Sequence, residues 1–234
     1  MIEIIPTNTC PSDLAELSRR SKTFSEFSPW VQLDIDDGAF APVISWPYGE
    51  RQWAELEAMA TDSQMLPYAD TLKYETHLMV EEPSRLGELL ARIGVPRIIG
   101  HVEAFADAEE IRTALHLWKN AGAPEVGLAI LLDTPLPVLA PVVPLCDVVQ
   151  VMAIAVLGSQ GAPFEARIIP KIRELSSAYP DIVIEVDGGV SKKTIATLVH
   201  AGASRFGVGS AISKAPDPQA AYEELKLLAE NALQ

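Results

Sequence analysis

Two stretches of the chain carry carboxylates that could move protons. Residues 32–36 read Gln-Leu-Asp-Ile-Asp, and because side chains alternate along a strand, Gln32, Asp34 and Asp36 share one face of a predicted strand. Asp187 ends another apolar run. On the inner face of a closed barrel such a polar row is hard to explain by packing; solvated carboxylates on an exposed strand edge are the alternative. Two carboxylates on opposite sides of one carbon could invert a stereocentre, one removing a proton and the other delivering one.

This chemistry needs a group that stabilises negative charge, because a proton next to a ketone is too weak an acid for a carboxylate alone. A divalent metal bound to the neighbouring oxygens would act as the Lewis acid. His77 lies near the C-terminal end of an apolar strand beside that of Asp34, and we expect a metal ligand or acid–base group there; a buried structural histidine is the alternative. For His101, on the next strand, both a site role and a structural role stay open. The candidate metal ligands are Gln32, Asp34, His77 and Asp187.

Glycine turns follow two consecutive predicted strands near the C-terminus. Residues 185–190 read Glu-Val-Asp-Gly-Gly-Val, and residues 206–212 read Phe-Gly-Val-Gly-Ser-Ala-Ile. Backbone N–H groups at such turns bind anions, and glycine lets the chain approach the anion closely. Two such turns after the seventh and eighth strands are typical of the phosphate site of a (β/α)8 barrel. The sequence therefore predicts a small substrate that carries a phosphate.

Apolar runs alternate with helical patterns along the whole chain. The candidate strands are Glu3–Ile5, Val31–Ile35, Tyr74–Val80, Arg97–Glu103, Glu125–Leu131, Val148–Met152, Ile182–Asp187 and Arg205–Val208. The candidate helices are Pro11–Ser21, Glu50–Thr61, Ser84–Ile93, Asp107–Ala121, Leu136–Val143, Phe164–Tyr179, Ser191–His200 and Asp217–Ala232. This alternation favours one domain over residues 1–234, a closed (β/α)8 barrel and not an open doubly wound sheet. Two longer loops, 36–49 and 153–163, are expected to be walls or lids of the site.

Composition narrows the range of partners. The 234 residues are 48% hydrophobic, which provides for a large core, and the net charge of −14 would repel nucleic acid. The two cysteines form no CxxC motif, and neither a signal-peptide pattern nor an apolar run of membrane-spanning length is present. We therefore expect a cytoplasmic protein with reduced thiols that binds neither nucleic acid nor membrane.

These motifs together resemble the ribulose-phosphate 3-epimerase family nearly from end to end. The family pattern His-x-Asp-x-Met-Asp-Gly corresponds to residues 32–38, and its His-Leu-Met-Val is unchanged at 77–80. Further matches lie at 101–104, 186–190 and 209–212. The resemblance implies a (β/α)8 TIM barrel of the ribulose-phosphate-binding type. It also implies 3-epimerisation of a ketose phosphate and one divalent metal, which could be Zn, Mn, Fe(II), Co or Mg.

The resemblance also assigns roles to individual residues. Asp34 and Asp187 would be the acid–base carboxylates and also metal ligands, with His77 as a further ligand. Met79 and Met152 would form apolar walls around an ene-diolate. The implied substrate and phosphate contacts are Thr7, Gly188, Gly189, Gly209 and Ser210. Homo-oligomers are common in the family, and the resemblance extends that expectation to this chain.

Three departures from the family pattern bear on the activity. Gln32 replaces a metal-binding histidine, which favours Mn, Mg or Fe(II) over Zn or weakens metal binding. Asp36 replaces a wall methionine and would add negative charge near the ene-diolate. The lid after strand 6 keeps only Gly158 and Gly161 of its family glycine pattern. The alternative to an epimerase is thus a homologue that binds a sugar phosphate but has lost or altered its activity. A related decarboxylase or aldolase would need a lysine in the strand-2 motif, which has none.

Overall fold

The computed structural model describes residues 2–158 and 160–233. Eight parallel strands form a closed barrel in chain order, and the eighth pairs with the first. The strands, β1 to β8, are Glu3–Asn8, Trp30–Asp36, Lys73–Met79, Arg97–His101, Glu125–Ile130, Val148–Met152, Val183–Asp187 and Arg205–Val208. The predicted (β/α)8 barrel is therefore confirmed.

Helices follow most strands and surround the barrel. The α-helices, α1 to α8, are Leu14–Ser25, Gln52–Asp62, Pro83–Arg92, Ala108–Ala121, Ile168–Ala178, Ile195–Ala201, Ser210–Ser213 and Pro218–Asn231. Both ends of α4 are capped: Asp107 accepts hydrogen bonds from the N–H groups of Glu109 and Glu110, and Gly122 ends the helix with a positive φ. Within the described residues, no helix is both long and apolar enough to cross a membrane.

The predicted helix at 136–143 is wrong. This segment forms two short 3-10 helices, Leu136–Leu139 and Val143–Leu145. Prolines stand at positions 135, 137, 141 and 144. Proline has no N–H to donate, and its ring clashes with the preceding turn, so a regular α-helix cannot run through this segment.

The fourth strand is shorter than predicted. It ends at His101, and Val102–Ala104 form a 3-10 turn where the sequence predicted a strand to Glu103. The turn brings Glu103 back toward the barrel, so that its carboxylate contacts the ring of His101. This short turn therefore adds a side chain beneath the mouth of the barrel.

Side chains of each strand alternate between the barrel interior and the helices. In β2, Leu33 and Ile35 belong to the large apolar core shared with the helices, and Gln32 and Asp34 point into the barrel toward Asp187 of β7. This alternation follows from the two-residue period of a strand. The polar row of β2 is therefore interior.

An ion-pair network fills the amino-terminal end of the barrel. Arg97 contacts Glu75 at 2.8 Å and Glu125 at 2.7 Å, and Arg205 pairs with Glu3 and Glu125. Arg97 and Glu75 are both almost completely buried, and buried charges of this kind persist only when paired. Because this network fills the amino-terminal end of the barrel, a substrate site has room only at the carboxyl ends of the strands.

Candidate active site at the carboxyl ends of the strands

Three of the predicted site residues meet at the mouth of the barrel. Asp34 in β2 and His77 in β3 are register partners on adjacent strands, and Asp187 ends β7. Nδ1 of His77 lies 3.2 Å from Oδ1 of Asp34 and 3.4 Å from Oδ2 of Asp187. One ligand atom from each residue lies within 4.8 Å of the others. The two carboxylates therefore converge from opposite sides of the barrel onto one imidazole.

Gln32 connects the same two carboxylates. Its Nε2 lies 2.7 Å from Oδ1 of Asp34 and 2.9 Å from Oδ2 of Asp187, and it donates a hydrogen bond to each. Its Oε1 is buried without a hydrogen-bond partner. A Cβ atom at Gly207 would lie 2.6 Å from this Oε1. Gln32 thus fits beneath the carboxylates only because residue 207 has no side chain.

The spacing of these four side chains suits a divalent metal. Neighbouring atoms of the set are separated by 2.7 to 3.4 Å. Ligands at metal bond lengths of about 2.1 Å stand about 3 Å apart in octahedral geometry. An amide nitrogen is only a donor, so Gln32 would have to turn its partnerless Oε1 toward the carboxylates to become a ligand. Two carboxylates, one imidazole and one amide oxygen then form a set suited to Mn²⁺, Fe²⁺ or Mg²⁺.

The electrostatics of the site reflect two acids placed close together. Burial raises the pKa of Asp34, as does the nearby charge of Asp187, while the hydrogen bond from His77 lowers it. Burial alone would lower the pKa of His77, but hydrogen bonds to Asp187 and Asp34 raise it to about 9. A cation between the carboxylates, either this imidazolium or a metal, is therefore favourable.

Asp36 lies at the base of a loop. Its Oδ1 accepts a 2.7 Å hydrogen bond from the N–H of Gly38, and the hydroxyl of Ser45 accepts a 2.9 Å hydrogen bond from the N–H of Asp36. The Gly38 contact directs the carboxylate toward the loop between β2 and α2, whereas the sequence suggested a place on the cavity wall. Burial raises the pKa of Asp36 to about 6.

A cavity opens beside the two carboxylates. Its apolar wall includes the predicted Met79 and Met152, which pack with Ile154 and Leu157. The other predicted residues that line it are Thr7, Asp34, Gly158, Gly161, Asp187, Gly188, Gly189, Gly209 and Ser210. The structure therefore brings the predicted acid–base, wall and phosphate residues to one cavity.

The glycine turn after β7 has the backbone shape expected of an anion site. Gly188 and Gly189 have φ angles of +93° and +67°, which favour glycine strongly. A Cβ at Gly188 would lie 2.7 Å from Ile154, and one at Gly189 would lie 2.7 Å from Phe164. Glycine is thus required here both by conformation and by space, and both glycines line the cavity.

Residues 157, 158 and 160–162, after β6, line the cavity. Gln160, which the sequence did not single out, anchors this segment. The side-chain amide of Gln160 donates to Oγ1 of Thr9 at 3.0 Å and accepts from the hydroxyl of Ser213 at 2.7 Å. Gly158 and Gly161 adopt positive φ angles of +76° and +90°. A glutamine in a loop carries no signal in sequence, because only the fold brings Thr9 and Ser213 within its reach.

Two further residues contact the side chains of the candidate metal site. The role of His101 stayed open in the sequence, and Gln150 was not predicted. Nε2 of His101 lies 2.9 Å from Nε2 of His77. The side-chain amide of Gln150, inside β6, lies 3.4 Å from Oδ2 of Asp187. Strand alternation predicts which side chains of β4 and β6 point into the barrel. It does not predict which residues of other strands those side chains contact.

Comparison with known proteins agrees with this geometry. The model of the family described as "Ribulose-phosphate 3 epimerase family" matches residues 5–213. Ribulose-phosphate 3-epimerase of Schizosaccharomyces pombe is 30% identical over 216 residues, which cover 92% of this chain and 88% of that protein. The enzyme of the same name from Candida glabrata is 29% identical, with 95% and 91% covered.

Solved structures support the fold. The crystal structure of 3-keto-L-gulonate-6-phosphate decarboxylase from Vibrio cholerae superimposes with a TM-score of 0.71 over 99% of both chains, at 12% identity. At that identity the likeness concerns the barrel alone. The match to the family model over residues 5–213 extends much further: the chain belongs to the ribulose-phosphate 3-epimerase family of isomerases, which supports sugar-phosphate epimerisation as its activity.

Proposed function

We propose that this protein is a metal-dependent epimerase that inverts C3 of a ketose phosphate, interconverting ribulose 5-phosphate and xylulose 5-phosphate or a related pair. The observation that carries the proposal is the convergence of Asp34 and Asp187. They come from strands three positions apart around the barrel, yet both bond the same histidine and the same amide. Two acids on opposite sides of one substrate carbon are what inversion requires.

In this mechanism the two carboxylates exchange roles with the direction of reaction. One removes the proton from C3 and the other delivers a proton to the opposite face, so that the configuration inverts. Burial raises the pKa of Asp34, which makes its carboxylate a stronger base than one in water. Met79 and Met152 exclude water from the planar intermediate and offer it polarisable sulfur.

One divalent cation, held by Gln32, Asp34, His77 and Asp187, completes the proposed site. When bound, it supplies Lewis-acid stabilisation of the negative charge that forms on the substrate oxygens. The donor set contains three oxygens and one nitrogen once the Gln32 amide has turned, which favours Mn²⁺, Fe²⁺ or Mg²⁺ over Zn²⁺.

The substrate is held at its phosphate end by the glycine turns. We infer that the N–H groups of Gly188, Gly189 and Gly209, with Ser210, bind the phosphate, and that Thr7 contacts the sugar. Both glycine turns line the cavity beside the two carboxylates, so a phosphate bound there would place the sugar next to the acid–base pair. Cys10 and Cys146 are free thiols, in keeping with the cytoplasmic location expected from the sequence.

The direct test supplies D-ribulose 5-phosphate with Mn²⁺, Zn²⁺, Fe²⁺ or Co²⁺ in deuterated water. We expect xylulose 5-phosphate to form and one solvent deuteron to enter C3. Asp34→Asn and Asp187→Asn should each lower turnover by about 10²- to 10⁴-fold. Asp62→Asn, on the exposed end of α2, should leave turnover unchanged. Absence of exchange with every pentulose and hexulose phosphate tested would reject the proposal.

The second candidate is a homologue that binds a sugar phosphate without epimerising it. The observation in its favour is that the amide of Gln32 donates to both carboxylates, in the place of a metal-binding histidine of the family. The variant Gln32→His separates the two candidates. A metal-free, inactive native protein and an active Gln32→His variant would favour binding alone. Changing Asp36 as well would confuse this test, because Asp36 anchors a loop.

A further inference from the structure

A hydrogen-bonded row of three side chains leads away from the candidate metal site, and none of the three lines the cavity. Nε2 of His77 lies 2.9 Å from Nε2 of His101, and Nδ1 of His101 lies 3.0 Å from Oε2 of Glu103. Both histidines are completely buried. We call this row, Glu103–His101–His77, the histidine relay.

The position of each hydrogen in the relay follows from its outer end. A carboxylate only accepts, and Oε1 of Glu103 already accepts the N–H of Leu131 at 2.8 Å. Oε2 therefore requires a hydrogen on Nδ1 of His101. A neutral imidazole carries one hydrogen, and the complete burial of His101 favours the neutral ring, so its other nitrogen, Nε2, is an acceptor.

The inner end of the relay is then determined. Two nitrogens 2.9 Å apart share one hydrogen, and since Nε2 of His101 accepts, that hydrogen belongs to Nε2 of His77. The nitrogen of His77 that faces Asp34 and Asp187 is Nδ1. In the neutral ring this Nδ1 carries the lone pair that a metal needs.

We propose that Glu103 is a positioning residue that acts through His101 to keep Nδ1 of His77 available as a metal ligand. The inference rests on the metal site of the proposed function. It extends that site to His101 and Glu103, which do not line the cavity. A ligating histidine commonly donates its other N–H to a fixed acceptor, which sets its orientation and its tautomer. Here a second histidine and a carboxylate together supply that acceptor.

The alternative is a purely structural role, in which Glu103 only connects the turn after β4 to Leu131 just after β5. Glu103→Gln distinguishes the two roles, because glutamine keeps the size and one carbonyl oxygen for the N–H of Leu131. Its amide nitrogen then faces His101 and donates. Every hydrogen in the relay must reverse, which leaves Nδ1 of His77 protonated and unable to bind a metal.

The experiment compares wild type, Glu103→Gln and Glu81→Gln. Glu81 is an exposed glutamate just after β3, at the same end of the barrel, so its variant removes the same charge without touching a histidine. Nitrogen-15 NMR of the histidine rings in the metal-free protein reports the tautomers, calorimetric titration with Zn²⁺ and Mn²⁺ reports affinity, and thermal unfolding reports folding.

In Glu103→Gln we expect the ring hydrogen of His101 to move from Nδ1 to Nε2 and metal affinity to fall by about 10- to 100-fold. Glu81→Gln should change neither. An unmoved hydrogen on His101, or unchanged affinity after the hydrogen has moved, would overturn the relay. If the wild type takes up no metal, the metal part of the proposed function fails, while the tautomers still decide whether Glu103 controls His77.

A second variant covers the case in which Glu103→Gln does not fold. His101→Phe keeps an aromatic ring against Phe40, whose ring centroid is 4.8 Å from that of His101, and removes the acceptor for Nε2 of His77. The relay predicts the same loss of metal affinity. Wild-type affinity in this variant would contradict it.

Discussion

Gly207→Ala is the most direct perturbation of the candidate metal site that leaves every polar group in place. A Cβ at this position would lie 2.6 Å from Oε1 of Gln32 and 3.2 Å from Oδ1 of Asp187. The backbone of Gly207 lies outside the left-handed region, so alanine costs nothing in conformation and restricts the unfolded chain. The substitution therefore acts through contact with these two side chains.

The size of the effect follows from the contact distance. A contact of this carbon with an amide oxygen or nitrogen needs about 3.3 Å. The Gln32 amide atom that faces Gly207, which is Oε1 before the amide turns and Nε2 afterwards, must therefore retreat by about 0.7 Å. Metal sites tolerate ligand errors of about 0.2 Å. A shift several times larger, at a residue that directly bonds both carboxylates, should weaken metal binding by about 10- to 100-fold. We expect kcat/KM for the sugar phosphate to fall by a similar factor.

The assay is calorimetric titration of Gly207→Ala with Mn²⁺, together with turnover at saturating metal. A double-mutant cycle with Gln32→Ala identifies the residue that moves, because the Gly207→Ala substitution should cost much less once the glutamine side chain is gone. Unchanged metal affinity in Gly207→Ala would refute the placement of Gln32 among the ligands. Equal costs in both backgrounds would show that Gln32 does not transmit the effect.

Four further predictions follow from separate parts of the structure. Asp187→Asn should lower kcat by about 10²- to 10⁴-fold with little change in unfolding free energy, measured by turnover and urea titration. Gln160→Ala removes two hydrogen bonds that hold the lid, and should raise KM for the sugar phosphate about tenfold, measured by steady-state kinetics. Gly87→Ala would place a Cβ 2.2 Å from Nε1 of Trp118 and should lower the unfolding free energy by about 2 kcal/mol. Burial raises the pKa of Cys146 to about 12, so its alkylation by iodoacetamide at pH 8, followed by mass spectrometry, should be far slower than that of free cysteine.

Matched controls make these outcomes decisive. Gln219→Ala, on the exposed surface of α8, should leave KM unchanged; a similar rise in both glutamine variants would contradict the role of the lid contact. Adding Trp118→Phe to Gly87→Ala should recover part of the lost stability if the indole is the source of the clash. Rapid alkylation of Cys146 in the native protein would contradict its burial, and wild-type kcat in Asp187→Asn would remove the acid–base pair.

Several features of the fold could be predicted because they depend on local pattern. The apolar runs determined all eight strands, and the two-residue alternation placed Gln32 and Asp34 on one face. The prediction of a helix at 136–143 was wrong because it rested on the apolar spacing alone. Four prolines in and beside the segment prevent a regular α-helix. The end of β4 was misplaced for a similar reason, since the apolar Val102 continues the strand pattern while the chain turns.

The sequence by itself determined the residue types of the candidate site: two carboxylates toward the ends of strands, a histidine near the end of β3, and glycines in the turns after the last two strands. Only the tertiary structure decided their partners. Strand alternation gives the direction of a side chain, but the closure of the barrel decides which distant strand it faces. That closure brings Gln32 within 2.9 Å of Asp187, across 155 positions of sequence, and joins Glu103 to His77 through His101. No local property of the chain encodes contacts of that range, because they exist only once all eight strands have paired.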